Sequence, residues 1–335
     1  MRMASLTGMR DRLVLGVFIA LLAAVWSVIP LLAGRSTVDM LVFAALYAIA
    51  GLGVAFLLGQ CGIVSLAQNV FFGIGAYSTA YGATVLGWPA PASIIMGIVI
   101  SGAIAAAVGV PVLRLSGYFL ALATLALAVI GHVLFLEWEW LTGGTLGIGG
   151  IPPFSPFGYR INTPVRFYYF VSPILLVLIL IHYNLLHSRT GIAMRAMRDA
   201  PSAAAVLGVN IARLKVKVFV SSAILGAFAG SLFAHYVSFV SVDSFGIDRA
   251  INFLLIAVLG GARTIAGTVL GALFVTALPN FLSRIGDVHA LLFAVLLILA
   301  VIFLPQGFGG AVAEVWRRFG RRPGHARRVT EGSPP

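Results

Sequence analysis

The sequence predicts an all-α, polytopic integral membrane protein with about ten transmembrane helices. Three observations carry this. Of 335 residues, 60% are hydrophobic and only 10% charged, where a soluble domain carries roughly 25% charged residues. Several apolar runs exceed the ~18 residues that mark a membrane span. The basic residues behind the net charge of +12 sit at the ends of those runs and in the tails. Membrane topology accounts for that distribution better than nucleic-acid binding does.

Segment 1–12, read as cytoplasmic, leads into a first apolar run at 13–33. That run is longer than the 7–15 residues of a signal-peptide core, so it is read as a retained span. Further runs fall at 38–58, 66–86, 92–112, 117–136, 168–186 and 217–238. The pair at 250–262 and 265–282 is short and interrupted by Leu259–Gly267. It is either two steep spans or one re-entrant hairpin, the latter leaving eight spans in all. A last run covers 288–304.

The membrane domain is therefore 13–310, with a basic tail at 311–335. Either count puts both termini on one side. Making that side the cytoplasm places 16 of the 22 Lys and Arg residues inside, as the positive-inside rule requires. It leaves Arg35, Arg160, Arg166, Arg249 and Arg284 outside, with Arg263 at the short pair assigned to neither side. The tail arginines, Arg317 to Arg328, then suit an anchor on anionic membrane lipid, and no nucleic acid is expected as partner. Two longer hydrophilic segments remain, an outer loop at 137–167 and an inner loop at 187–217. A faint internal echo joins 42–80 to 251–278, both reading as helix, glycine break, helix.

Enzyme chemistry finds no footing. The chain has no Gly-Lys dipeptide and hence no P-loop, and it lacks HExxH and GxSxG. Cys61 is the single cysteine, and no His/Cys cluster has metal-ligand spacing, so neither metal nor cofactor is expected. His132 and His235 fall inside spans, where an ionisable group hints at function, and the plainer alternative is a neutral imidazole bonded to a neighbouring helix. No carboxylate relay crosses the spans, which argues against a proton-coupled carrier.

Two stretches carry positive information. Gly59–Ala80, GQCGIVSLAQNVFFGIGAYSTA, loosens an apolar run with four glycines and several amides and hydroxyls. In lipid such residues are tolerated where they line a path, so Gln60, Ser65, Gln68, Asn69, Gly73 and Gly75 are candidate path residues. Gly260, Gly261 and Gly267 in the second break are their counterparts. The inner loop holds RAMRDAPSAAAVLGVNIARLK, which reads as a short surface helix. Asp199 or Ser202 can cap it, Pro201 suits its first turn, and Gly208 stands where helices end in a left-handed residue. Arg198, Asp199, Ala203, Ala204, Gly208 and Asn210 would form a compact knob that fits a groove on a soluble partner.

This knob resembles the cytoplasmic coupling loop of ABC-transporter permeases. Six ordered stretches resemble one branch, the LivM-like permeases of branched-chain amino-acid uptake. They are Gly59–Ala80, Leu113–Ile130 (LRLSGYFLALATLALAVI), Leu141–Pro153 (LTGGTLGIGGIPP), Ala229–Gly246 (AGSLFAHYVSFVSVDSFG), Leu254–Ala272 (LLIAVLGGARTIAGTVLGA) and Phe303–Gly310 (FLPQGFGG). Cys61, Pro201 and Ala205 depart from the family's usual residues. The resemblance implies a bacterial inner-membrane permease with discontinuous helices near its pathway. It implies a homologous permease subunit as heterodimer partner, two ATP-binding subunits on the coupling helix, and an extracytoplasmic solute-binding protein. That protein would dock near Thr142, Gly143, Gly144 and Asp243. The solute class stays open between branched-chain amino acids, urea or short amides, other amino acids, and the sugars or nucleosides of the wider superfamily. An ATP-independent channel or carrier is the rival from another class.

Overall fold

The computed structural model describes residues 34–155, 161–282 and 307–310, with Pro30 and a few isolated positions between 292 and 298. The expected first and last spans, the 1–12 segment and the 311–335 tail lie outside the described residues. What is described is almost entirely helical: α1 (Arg35–Ala55), α2 (Gln68–Thr84), α3 (Ala90–Val112), α4 (Gly117–Glu137), α5 (Pro164–His187), α6 (Arg189–Asp199), α7 (Pro201–Val206), α8 (Ile211–Val237), α9 (Ile247–Gly260) and α10 (Ile265–Leu282).

Six helices among these residues are long and apolar enough to cross a membrane: α1 with the turn after it, α3, α4, α5, α8 and α10. The chain is thus a multi-pass membrane protein, and the expected count of ten is not reached among the described residues. The expected span 66–86 comes out shorter, and the run at 250–262, expected to be short, is so. Helix α2 has 17 residues and α9 has 14, which at 1.5 Å per residue gives α9 a length of ~21 Å, less than the ~30 Å of a hydrocarbon core.

Local signals place the helix starts. Thr163 accepts from the Arg166 amide with Pro164 next in line, Ser188 accepts from the Gly191 amide, and Asn210 accepts from the Arg213 amide. Each satisfies one of the amide groups that a helix start leaves unpaired.

Helix α1 is the hub. It packs against α5, α8, α9 and α10, while α8 also packs against α2 and α3. Of the α1 window 83% is buried, against 22% for α5 and 28% for α4. The rim helices turn large apolar residues outward, among them Val99, Tyr118, Phe119 and Leu180, as lipid-facing surfaces do.

The inner packing is close because small residues meet backbone. A Cβ added to Gly75 would stand 1.9 Å from the Ala227 carbonyl oxygen, and one on Gly230 would stand 1.8 Å from that of Phe72. Such small-residue contacts are how helices associate where lipid removes the hydrophobic drive.

At one end of the bundle a two-stranded antiparallel ladder pairs Ile148–Gly149 (β1) with Phe239–Val240 (β2). It ties the 137–163 loop to the chain leaving α8. The Pro152 carbonyl lies 2.9 Å from Nδ1 of His235, and the Tyr236 hydroxyl donates to Asp39. At the opposite end lie α6, α7 and the turn between α9 and α10.

Candidate functional site: a broken helix, a surface knob and two cavities

The break at Gly59–Ala80 is real. Helix α1 widens into a π-helical turn over Phe56–Gln60, the chain runs non-helically through Gly62–Ala67, and α2 begins at Gln68. Backbone groups in this stretch are met from several directions. The Gly62 and Ile63 amides donate to Leu58 and Leu57, and the Leu66 amide donates to the Thr124 hydroxyl at 3.2 Å. The Ser65 hydroxyl takes the Ala67 amide. Irregular backbone inside a membrane protein survives only with such partners.

The amides of the stretch bind neighbouring helices. Gln68 Nε2 donates to the carbonyls of Ala50 (2.9 Å) and Ser222 (3.2 Å), while Ser222 Oγ donates back to Gln68 Oε1 at 3.0 Å. Asn69 Nδ2 reaches the carbonyls of Phe245 and Gly246 at 2.9 and 3.3 Å. Gln60 and Ser65 are buried as well. Gly73 lies against the Phe135 ring, and Gly260 and Gly267 face each other across the α9–α10 turn, where Gly261 is left-handed. The structure therefore gathers these residues into helix–helix contacts around two breaks.

The knob is a single short helix, α7. Its cap differs from expectation. Ala200 precedes it, neither Asp199 nor Ser202 makes a capping bond, and Asp199 instead stands 3.5 Å from Arg198 Nε. The end is as expected: Gly208 has φ +87° and donates to the Ala205 carbonyl. Ala204 is buried, Ala203 is exposed, and Asn210 starts α8. What the knob presents are Val206 and Leu207, 88% and 82% exposed. They were legible as an apolar pair before Gly208 in a polar loop. Beneath the knob, Arg198 Nη1 donates to the Gly59 carbonyl, joining it to the break.

At the other end Thr142 is wholly buried. Its hydroxyl donates to the Phe135 and Trp138 carbonyls and accepts from the Gly144 amide. Gly144 is buried too, Gly143 is half-buried, and both are left-handed. This turn shapes a surface on which Trp138, Trp140 and Leu146 are large exposed residues. Asp243 is exposed near it, in the short turn leading to α9.

Two cavities flank α1. One of about 390 Å³ is lined by Arg35, Asp39, His235 and Tyr236 among others. A second of about 230 Å³ is lined by Tyr47, Arg249 and Asn252 among others. Phe43 borders both. Neither is lined by any of the nine path residues expected from sequence.

Arg249 occupies an unexpected depth. Topology counting assigns it to an outer loop. The chain after β2 instead dips inward to Asn69, so that the guanidinium lies 4.7 Å from the Tyr47 ring centroid. Tyr47 is the midpoint of the Arg35–Gln60 span, ~18 Å along it. A cation at that level costs ~2.5–3.5 kcal/mol or more.

The described residues thus form a membrane bundle of crossing helices with an internal break, a knob at one end and cavities along its hub. The profile of the family described as "Branched-chain amino acid transport system / permease component" matches residues 36–304, and the chain belongs to that family. It is 32% identical to the high-affinity branched-chain amino acid transport system permease protein LivM of Escherichia coli, covering 87% of this chain and 73% of that one. It is 31% identical to the LivM of Salmonella typhimurium, covering 85% and 72%. A xylose/arabinose import permease, XylH of Sulfolobus acidocaldarius, is 26% identical over 41% of each chain. No solved structure matches.

Proposed function

We propose that this chain is the permease subunit of an ATP-driven importer for branched-chain amino acids, set in a bacterial inner membrane with both termini in the cytoplasm. Its partners are a homologous permease, two ATP-binding subunits and an extracytoplasmic solute-binding protein. The observation that carries the reading is the family match over residues 36–304. The bond from Arg198, beside the exposed knob, to Gly59 at the helix break offers a route for coupling. A subunit seated on Val206 and Leu207 pulls on that bond when it closes over ATP. The pull reaches the one place where α1 is not a regular helix. The segment Gly59–Ala80 and the Leu259–Gly267 turn then form the yielding parts of the path, and the Trp140–Leu146 end receives the delivered solute.

The solute class follows from the family, and the knob sets this reading apart from an ATP-independent carrier. The test is energy-dependent uptake of labelled leucine in cells lacking this chain and in cells with it restored. Uptake that falls and returns, with isoleucine and valine competing, supports the reading. Uptake that survives removal of the ATP-binding partners overturns it.

A further inference from the structure

Among residues 41–57 of the hub helix only Phe43 and Tyr47 are not buried. With Arg35 and Asp39 they fall on successive turns of one face, and that face is what the two cavities share. The cavities thus form two stations along α1, separated by the Phe43 ring.

The inner station has the makings of a recognition site. Arg249 Nε donates to the Ser244 carbonyl at 3.2 Å, and the Tyr47 ring lies 4.7 Å from the guanidinium carbon. These contacts orient the group. Among the described residues no carboxylate lies within ion-pair distance of it. A guanidinium offers a planar fork of donors that matches a carboxylate. Asn252, three residues on and half-buried, adds an amide on the same side of α9. The remaining wall is largely apolar, with Phe253, Ile256 and Val275, and at about 230 Å³ the cavity is smaller than the ~300–1,000 Å³ of drug-sized sites.

We propose that Arg249, assisted by Asn252, binds the carboxylate of a small aliphatic solute at the midpoint of the crossing. The permease itself then recognises its cargo, and recognition is not left wholly to the delivering protein. This rests on the importer reading above for the nature of the solute. It also explains the depth of Arg249: a fixed cation halfway through the protein attracts an anion out of the outer cavity and releases it when the site is reshaped.

Cys61 is the chain's single cysteine and is buried, so a Cys61→Ser background allows a reporter, Thr276→Cys, on the opposite wall of the same cavity. Maleimide labelling of Cys at 276 is followed in membranes holding the full chain with its partners. The added probes are leucine, leucinamide, isovalerate and isovaleramide. Leucine and isovalerate are expected to slow labelling while the two amides do not. Arg249→Gln is expected to raise the half-protecting isovalerate concentration by about 10- to 100-fold, the worth of a charge-assisted pair. Equal protection by acids and amides, or none by either, overturns the proposal. That comparison uses the unaltered arginine, so it decides even where Arg249→Gln fails to accumulate. If restored cells take up no leucine but isovalerate still protects, the solute assignment falls and the carboxylate site stands.

Discussion

Arg198 donates through Nη1 to the carbonyl of Gly59, a hydrogen bond that closes a separation of 139 residues. Arg198 lies in the last turn of α6, directly before the knob, and Gly59 lies in the π-helical turn that ends the hub span. The neighbouring Arg198–Asp199 pair is solvent-exposed on the acidic side, 68%, and such pairs contribute little. In the proposed function it is the bond to Gly59 that carries the coupling.

Arg198→Met is therefore expected to lower energy-dependent uptake about tenfold at equal membrane abundance, since a hydrogen bond to a charged group is worth ~1.5–3 kcal/mol. Arg198→Lys keeps the charge but not the fork and should fall between. Uptake by Arg198→Met equal to that of the parent would show the bond to be idle in transport.

Leu207→Asp should abolish copurification of ATPase activity with the chain while leaving its thermal unfolding nearly unchanged, because an 82% exposed residue shifts stability by only about ±0.5 kcal/mol. Gly208→Pro should block uptake in the same way. Proline holds φ near −65° and has no N–H, whereas Gly208 sits at +87° and uses its N–H toward Ala205. Normal transport by either variant would remove the knob from the mechanism.

Gly230→Ala tests the close packing of α8 on α2. The new methyl must displace the Phe72 backbone, and overpacking of this kind costs ~1–3 kcal/mol. A drop in melting temperature in detergent is expected. Gly34→Ala, with nothing within 4 Å of the added carbon, is the control. Equal melting of the two would contradict the packing described.

Ser222→Ala removes the partner of Gln68 Oε1. Interhelical hydrogen bonds in membrane proteins average ~0.6 kcal/mol and reach ~2, so a modest loss of stability is expected. Gln68→Leu also abandons the bonds to Ala50 and Ser222 and should cost more. The order of the two melting temperatures is the measurement, and a reversed order would mean that the amide is not bonded in this way.

Much of this was legible in the sequence for a plain physical reason. Lipid forces each crossing to be a continuous apolar run, so the expected 38–58, 92–112 and 117–136 fall within a few residues of Arg35–Gln60, Ala90–Val112 and Gly117–Glu137. The break after Gly59 and the left-handed Gly208 were legible because glycine and amide residues have few other uses there. Partners and depth were not. Gln68 announces a polar contact without saying that the contact is Ser222, 154 positions away. Arg249 looks like a loop residue until the chain after β2 is seen to dip toward Asn69. Thr142 reads as surface but is the buried pin of its turn, and Trp140 and Leu146 stand outward in its place.

The enclosure of α1 also bears on how the molecule is made. Helix α10, which packs along it, is synthesised about 210 residues later, a delay of roughly 10–40 s at the ribosome. For that interval the alanine- and glycine-bearing flank of α1 around Gly51, later covered by Ile256 and Thr268, has only lipid for company. A chain that stops short of Ile265 has Ile256 but lacks Thr268, so that flank is covered only in part. An unfinished molecule thus differs from a completed one in the surface that its central helix shows to lipid.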